Sequence, residues 1–131
     1  MTKRVLITAG AAGIGRALAA RFHADGAQVA VCDIDPAAVT QFEQDFTGAV
    51  AATANVTNEA EMAAFLSDVE AHWGGIDVVC ANAGTGGPAG RIEDLDYGAW
   101  QDCIAANLHG AFLTCRWAAR LMRAQKSGCI I

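Results

Sequence analysis

Three glycines near the start of the chain, Gly10, Gly13 and Gly15, have a spacing that serves phosphate binding. They follow a short apolar run at residues 4–8 and precede a helical pattern. Glycine permits a tight turn and close approach of a phosphate, and the last of the three allows close helix–strand packing. The helix N-terminus adds unpaired N–H groups. A strand, a glycine loop and a helix in this order predict a site for a dinucleotide pyrophosphate.

An acidic side chain comes directly after the second apolar run, residues 28–32. There the carboxylate of Asp33 can accept hydrogen bonds from both hydroxyls of an adenosine ribose. A 2′-phosphate would meet its negative charge, and no Lys or Arg occupies residues 9–15 or 34–38 to reverse that preference. The alternative is a solvated loop acid beside Asp35. With the glycine loop upstream, we favour the ribose-binding interpretation.

Strands and helices must alternate to bring these residues together. The predicted strands are apolar runs at residues 4–8, 28–32, 49–54, 76–81 and 129–131. Helical patterns fill the intervals, and the last and longest runs from about residue 96 to 124, after a glycine-rich loop at 82–90. The pattern predicts an α/β fold with a doubly wound parallel (Rossmann) sheet, truncated at the start of its fifth strand. In such sheets the ligand lies beyond the carboxyl ends of the strands.

Apolar side chains at helical spacing predict the buried face of each helix. For the first helix these are Ile14, Ala17, Leu18 and Phe22, and for the longest helix Trp100, Ile104, Leu108, Phe112 and Cys115. Asp35 followed by Pro36 begins the second helix. Asn58 and Glu61 have the spacing of a capping box at the start of the third.

The composition bounds the class of protein. A formal net charge of −5, without a basic block, argues against nucleic acid or an anionic membrane surface as a partner. The five cysteines and three histidines do not pair at metal-ligand spacing, so no metal site is expected. Lys3 and Arg4 could begin a signal peptide, but the glycines interrupt the apolar run that follows. No apolar run reaches membrane-spanning length, and we expect a cytoplasmic protein.

The glycine loop resembles the T-G-x-x-x-G-x-G motif of the short-chain dehydrogenase/reductase family. Thr8, Gly13 and Gly15 match it, whereas Ala9 replaces the first glycine and Gly10 stands next to it. The loop is expected to tolerate that methyl group with a slightly different turn. In this family a basic residue just before the second glycine often accompanies NADP, and this chain has alanine there.

Three further motifs carry the resemblance. Asn55-Val56 is similar to the family's Asp-Val pair near the adenine, and Asn82-Ala83-Gly84 matches its Asn-Ala-Gly motif, although Asn and Gly could simply form a turn. Asn107 matches the asparagine that supports a water-linked proton relay; a structural hydrogen bond or a helix kink is the alternative. The resemblance assigns Asn107 to catalysis and the following residues to the cofactor: Thr8, Gly10, Ala12, Gly13, Ile14, Gly15, Asp33, Ile34, Asn55, Val56, Asn82, Ala83 and Gly84.

The resemblance implies an oxidoreductase that transfers a hydride between NAD(H) and a small alcohol or carbonyl substrate. Residues 1–131 then form the NAD-binding domain, the N-terminal half of such an enzyme, and the family's catalytic Ser, Tyr and Lys are expected after Ile131. Tyr97 has Gln101 rather than lysine four positions later, so we assign it to the first turn of the long helix. A homodimer or homotetramer is expected, with the long helix at an interface and Arg116, Arg120 and Arg123 as interface or helix-dipole residues.

Two alternatives remain open. A non-catalytic NAD-binding module of these residues alone would expose an unpaired sheet edge and an apolar helix face. A methyltransferase that uses S-adenosylmethionine would share the glycine loop and the acid after the second strand. Its loop usually reads G-x-G-x-x-G, however, and the residues at 82–84 have no role in that scheme.

The acid at position 33 generates the first testable prediction. NADH is expected to bind well and NADPH poorly, because the 2′-phosphate would face the carboxylate without a compensating cation. Titration of the protein with each reduced cofactor, followed by nicotinamide fluorescence, measures both affinities. Comparable dissociation constants would refute the preference.

Overall fold

The centre of the molecule is a parallel sheet of five strands, described by a computed structural model that covers residues 1–131. The strands are β1 (Arg4–Thr8), β2 (Gln28–Asp33), β3 (Val50–Thr53), β4 (Val78–Cys80) and β5 (Cys129–Ile130). Their order across the sheet is β3-β2-β1-β4-β5, and every neighbouring pair is parallel. The doubly wound α/β fold predicted from the alternation is therefore confirmed.

The helices are α1 (Gly13–Ala24), α2 (Pro36–Asp45), α3 (Glu59–Trp73), α4 (Tyr97–Ile104) and α5 (Gly110–Gln125), with a short 3₁₀ turn at Ile92–Asp94. A π-helical segment, Ala105–His109, joins α4 to α5 without a break. The boundaries agree with the predicted elements to within a few residues, and the single long helix at 96–124 is divided into these three parts. Tyr97 is the first residue of α4, as expected.

Two apolar cores lie on opposite faces of the sheet because successive strand residues point to opposite sides. On one face α1 and α2 cover Val5, Ile7, Val29 and Val31. On the other face α3 and α5 cover Leu6, Ala30, Cys32 and Val79. Burial raises the pKa of the Cys32 thiol to about 12, so this cysteine is an apolar packing residue.

The first helix packs differently from the prediction. Ile14 was expected to face the core, but its side chain is 77% exposed and Ala17 is also exposed. The fully buried positions of α1 are Gly15 and Ala19. Small residues at these positions allow the helix axis to approach the sheet closely, so larger side chains at the helix start are displaced toward solvent.

The predicted buried stripe of the long helix is also wrong. Trp100, Leu108 and Phe112 are exposed, and α5 instead buries the stripe Gly110, Thr114, Ala118 and Leu121. The long helix is also not uniform, because in the π segment the N–H of Gly110 donates to the carbonyl of Ala105, five residues back. This segment does not account for the exposure of Trp100, which precedes it. A π turn inserts one extra residue, which rotates all later side chains by about 100° relative to a continuous α-helical count.

The predicted capping residues lie at the starts of α2 and α3, but Glu61 has a different hydrogen-bond partner from the one predicted. The side chain of Asp35 accepts from the N–H of Ala37, and that of Asn58 accepts from the N–H of Glu61 at 3.0 Å. Only half of the capping box forms, because the Glu61 carboxylate accepts from the N–H of Asn55, at 3.2 Å, and not from that of Asn58. Glu61 thereby ties the beginning of the β3–α3 loop to the helix.

Gln125, the last residue of α5, fixes the start of the fourth strand. Its Oε1 accepts from the N–H of Ile76 at 2.9 Å, and its Nε2 donates to the carbonyl of the same residue at 2.7 Å. Ile76 is fully buried, so these two bonds satisfy backbone groups that water does not reach. The side-chain amide thus takes the place of one backbone rung beside β4.

Ion pairs hold α5 against α3. Arg116 pairs with Glu59 at 3.0 Å, and Arg120 pairs with Glu70. The hydrogen bond from Arg120 holds the pKa of Glu70 below its ordinary value, with a further contribution from Trp117. Two of the three arginines expected at an interface or at the helix dipole therefore have partners within the chain. None of the helices combines the length and apolar character needed to cross a membrane.

Candidate functional site

The glycine loop lies at the carboxyl end of β1, where the sheet reverses its direction of winding between β1 and β4. Two of its glycines are required by close packing. A Cβ at Gly10 would lie 2.5 Å from Cγ1 of Val31, and a Cβ at Gly15 would overlap the carbonyl oxygen of Ala9. These contacts hold the loop on β2 and the start of α1 against the end of β1.

Gly13 has a different role. Its φ of +55° lies in the left-handed region, and an added Cβ would meet no atom within 4 Å. The preceding residue, Ala12, begins α1 without any side-chain hydrogen bond to the first turn. The open space beside Gly13 therefore adjoins helix N–H groups without a side-chain partner, an arrangement that suits a phosphate.

Ala9, which replaces the first glycine of the family motif, has a strained backbone conformation. Its φ is +50°, a left-handed conformation that a residue with a Cβ rarely adopts. A slight change of turn was expected here. The turn instead keeps a glycine-like backbone conformation, although the residue is alanine. Gly10, one position later, has no positive φ and serves packing instead.

The structure brings Asp33 to this loop. Its carboxylate accepts from the N–H of Ala11 and from the N–H of Asp35, both at 3.2 Å, and the residue is only 9% exposed. The alternative of a solvated loop acid is therefore wrong; Asp35 is the residue that caps a helix. Each carboxylate oxygen retains acceptor capacity beyond its backbone bond, so a ribose hydroxyl can still be accommodated.

A cleft of about 240 Å³ brings together predicted site residues from three separate segments. Asp33 and Ile34 form one wall, Asn55 and Val56 the next, and Ala83 and Gly84 the third. Ile34 is 67% exposed and lies at the rim. Sequence reasoning missed five further lining residues, each of which directly adjoins a predicted site residue: Ala9, Ala54, Thr57, Thr85 and Ala106.

Asn82 joins the two loops at the switch point. Its Nδ2 donates to the carbonyls of Thr8 at 3.1 Å and Ala9 at 3.4 Å. In the other direction, the N–H of Ala83 donates to Oγ1 of Thr8 at 2.9 Å. Because these partners lie more than 70 residues apart, the Asn-Ala-Gly motif is more than a local turn. Thr8 is buried, so its hydroxyl links the two loops inside the protein.

Asn107 lies within the π segment and fastens the loop after β4 to it. Its Nδ2 donates to the carbonyls of Thr85 at 2.8 Å and Cys103 at 2.9 Å, and its Oδ1 accepts from the N–H of Thr85 at 3.3 Å. The structural hydrogen bond and the irregular helix, both considered as alternatives, are thus present. Although the residue is exposed, both its amide nitrogen and its amide oxygen are hydrogen-bonded; its catalytic role stays a prediction.

Cys103 completes this contact and was not singled out from the sequence as a site residue. Its Sγ lies 3.5 Å from Nδ2 of Asn107, and a Cβ at Gly87 would lie 2.6 Å from the same sulfur. Gly87 has a φ of +69°, so the loop passes directly over the thiol. The spacing of four residues between Cys103 and Asn107 is the only sequence signal that places them together.

Comparison with known proteins assigns the family. Residues 3–131 match the family model described as short chain dehydrogenase. The chain belongs to the short chain dehydrogenase family. It is 36% identical to (+)-borneol dehydrogenase 1 of Salvia officinalis, over 98% of this chain and 50% of the relative. Family membership leaves no place for the methyltransferase alternative.

Solved structures of the family have the same fold. A 3-ketoacyl-ACP reductase from Sinorhizobium meliloti 1021 superposes with a TM-score of 0.92 at 34% identity, over 97% of this chain and 51% of that one. An NAD⁺-bound xylitol dehydrogenase superposes with a TM-score of 0.90 at 26% identity, over 98% and 51%. The chain thus spans about half the length of these relatives.

The strained alanine generates a stability prediction. Ala9→Gly should raise the free energy of unfolding by about 1 kcal/mol, because glycine adopts the left-handed conformation without steric cost. Ala12→Gly is the control: Ala12 has a φ of −143°, which any residue adopts, so the added chain entropy should destabilise the protein instead. Urea unfolding midpoints with unchanged slope measure both. A destabilised Ala9→Gly variant would contradict the strain.

Proposed function

We propose that this chain binds NAD(H) and forms the nucleotide-binding part of an oxidoreductase. The observation that carries the proposal is the uncapped start of α1, with open space at Gly13, next to the cleft that contains Asp33. An anionic pyrophosphate suits the first and a ribose suits the second. The residues present therefore fit a dinucleotide, and the family membership supports the same ligand class.

Preference for NAD over NADP rests on the charges around Asp33. The arginine that directly follows the glycine loop, Arg16, forms an ion pair with Asp45 at 2.6 Å and lies 5.1 Å from the centroid of the Phe46 ring. The Arg16 guanidinium therefore interacts with the end of α2 and does not neutralise the charge of the Asp33 carboxylate. The NAD⁺ in the xylitol dehydrogenase structure supports the same choice of cofactor.

We propose an alcohol or carbonyl compound as the substrate. When bound, the dinucleotide supplies or accepts the hydride. The residues described here bind and orient it: the first turn of α1 holds the pyrophosphate, Asp33 the ribose, and the loop after β4 borders the cofactor. The serine, tyrosine and lysine of the family are expected outside residues 1–131. The borneol dehydrogenase and the ketoacyl reductase, by their names, act on substrates of this chemical class.

Two properties of the whole protein complete the proposal. All five cysteines are free, and this is the usual condition in the reducing cytoplasm, where we place the protein. A homodimer or homotetramer is expected through the exposed side of the long helix, where Leu108 and Phe112 face solvent.

Gly13 and Gly26 provide a matched test of cofactor binding. Both have a positive φ, and both have no atom within 4 Å of an added Cβ, so alanine should strain each backbone similarly. Only Gly13 lies at the uncapped start of α1. Gly13→Ala should lower the affinity for NADH about tenfold or more, because its methyl group occupies the space of a phosphate. Gly26→Ala should leave the affinity unchanged. Equal effects of the two variants on NADH binding would contradict the assignment of the phosphate site.

Hydride transfer is tested on the protein that includes the serine, tyrosine and lysine expected outside residues 1–131, by the loss of NADH fluorescence in the presence of small ketones and aldehydes. Asn107→Ala leaves the N–H and C=O of Thr85 unpaired, and should lower kcat about tenfold or more. A role in proton transfer also predicts a shifted pH profile of kcat, whereas a purely structural role predicts a lower kcat with an unchanged profile. Gln101→Ala, on the exposed surface of α4, is the control. A protein that binds NADH but turns over none of these substrates would be a binding module instead.

A further inference from the structure

The loop after β4 is held by side chains of the long helix and not by backbone pairing. Residues 84–90 make no backbone–backbone hydrogen bond. Their hydrogen bonds to the rest of the chain all involve the backbone of Thr85, which pairs with the side chains of Asn107 and Cys103. The position of this loop therefore depends on the helix side chains that contact it.

Two of these side chains pack directly against two glycines of the loop. An added Cβ at Gly84 would lie 2.6 Å from Oδ1 of Asn107, and one at Gly87 would lie 2.6 Å from Sγ of Cys103. The sulfur also lies 3.8 Å from the carbonyl oxygen of Thr85. The loop thus rests on the helix at two neighbouring points, and at each of them the absence of a loop side chain permits the contact.

The two points constrain the loop in different ways. Asn107 holds Thr85 by hydrogen bonds, about which the rest of the loop could still pivot. The sulfur of Cys103 prevents this movement, because the backbone at Gly87 cannot approach α4 any further without overlapping it. The two hydrogens of Nδ2 of Asn107 are used by the carbonyls of Thr85 at 2.8 Å and Cys103 at 2.9 Å. The sulfur therefore acts mainly by packing and not as an acceptor.

The same loop forms part of the proposed cofactor site. Ala83, Gly84 and Thr85 line the cleft of about 240 Å³. Thr85, Gly87 and Cys103 line a neighbouring cavity of about 570 Å³. Thr85 belongs to both walls, so the loop has open space on either side. A contact that fixes the loop relative to α4 therefore also fixes one wall of the cleft.

We propose that Cys103 is a positioning residue for the cofactor, which fixes the loop after β4 at Gly87 while Asn107 fixes it at Thr85. The thiol does not contact the dinucleotide and takes no part in the chemistry. It acts through the loop, by keeping Gly84 and Thr85 where a bound nucleotide requires them. This inference rests on the proposed function, since it concerns the affinity of the cleft for a dinucleotide.

A double-mutant cycle at positions 87 and 103, read out by fluorescence titration with NADH, tests this role. Gly87→Ala should lower the NADH affinity about tenfold or more, because the added Cβ overlaps the sulfur and displaces the loop. Cys103→Ala alone should weaken binding about threefold, because the loop loses one contact. With the sulfur removed, Gly87→Ala should cost no more than about a further threefold. The left-handed φ at position 87 strains alanine equally in both backgrounds, so the difference isolates the contact with the sulfur.

Cys115→Ala is the matched control. It removes a sulfur atom from a second partly buried cysteine, which lines a different surface groove beside Phe112 and Arg116 on α5. It should leave both the NADH affinity and the cost of Gly87→Ala unchanged. Urea unfolding of each variant separates the two kinds of role. A purely structural cysteine changes the unfolding midpoint but not the NADH affinity of the folded protein.

An equal cost of Gly87→Ala with and without the sulfur of Cys103 would overturn the inference while leaving NAD binding intact. A Cys103→Ala variant with a lower unfolding midpoint and an unchanged NADH affinity would overturn it as well. If the unaltered protein does not bind NADH, the proposed function fails and the inference fails with it.

Discussion

The contact between the loop after β1 and the loop after β4 determines the geometry of the site. Asn82 donates to the carbonyl of Thr8, which ends β1, and to that of Ala9, and the Thr8 hydroxyl accepts from the N–H of Ala83. The absence of a side chain at Gly15 leaves room for the Ala9 carbonyl and for Nδ2 of Asn82. These strands are neighbours in the sheet, yet the chain between them forms β2, β3 and three helices. These hydrogen bonds connect the two loops beside the cleft, at the point where α/β sheets bind ligands. They also satisfy backbone groups that are buried there.

Much of this arrangement could be predicted from the sequence, because it depends on local patterns. Apolar runs and turn residues place the strands and helices to within a few positions, and Asp33, Asn55-Val56 and Ala83-Gly84 line one cleft. The two errors in helix faces have a common cause. Apolar spacing assumes a uniform α-helix in which large side chains face inward, whereas α1 packs through Gly15 and Ala19 and the long helix contains a π turn. Such close approaches and insertions are tertiary effects that periodicity does not reveal.

Asn107 and Asn55 show why motif matching predicts a position more reliably than a role. Both fall where the family pattern places them, but their hydrogen bonds decide what they can do. Asn107 uses its donors and its acceptor on the backbone of Thr85 and Cys103, so its side chain acts on the loop after β4. Asn55 uses its acceptor on Thr57 and keeps its donors. An amide differs from a carboxylate of the same shape in this balance of donors and acceptors and in having no negative charge.

The long helix is fastened at two points, by Asn107 to Thr85 and by Gln125 to Ile76. The stretch between these residues therefore acts as a ruler with fixed ends. One residue added or removed within it would rotate Gln125 by about 100° and move it along the axis by about 1.5 Å, away from the backbone groups it satisfies. The π turn lies at the Asn107 end of this stretch and itself corresponds to the insertion of one residue. Relatives with altered lengths are thus expected to absorb the change in the glycine-rich loop before α4, and to keep the spacing of eighteen residues between the two amides unchanged.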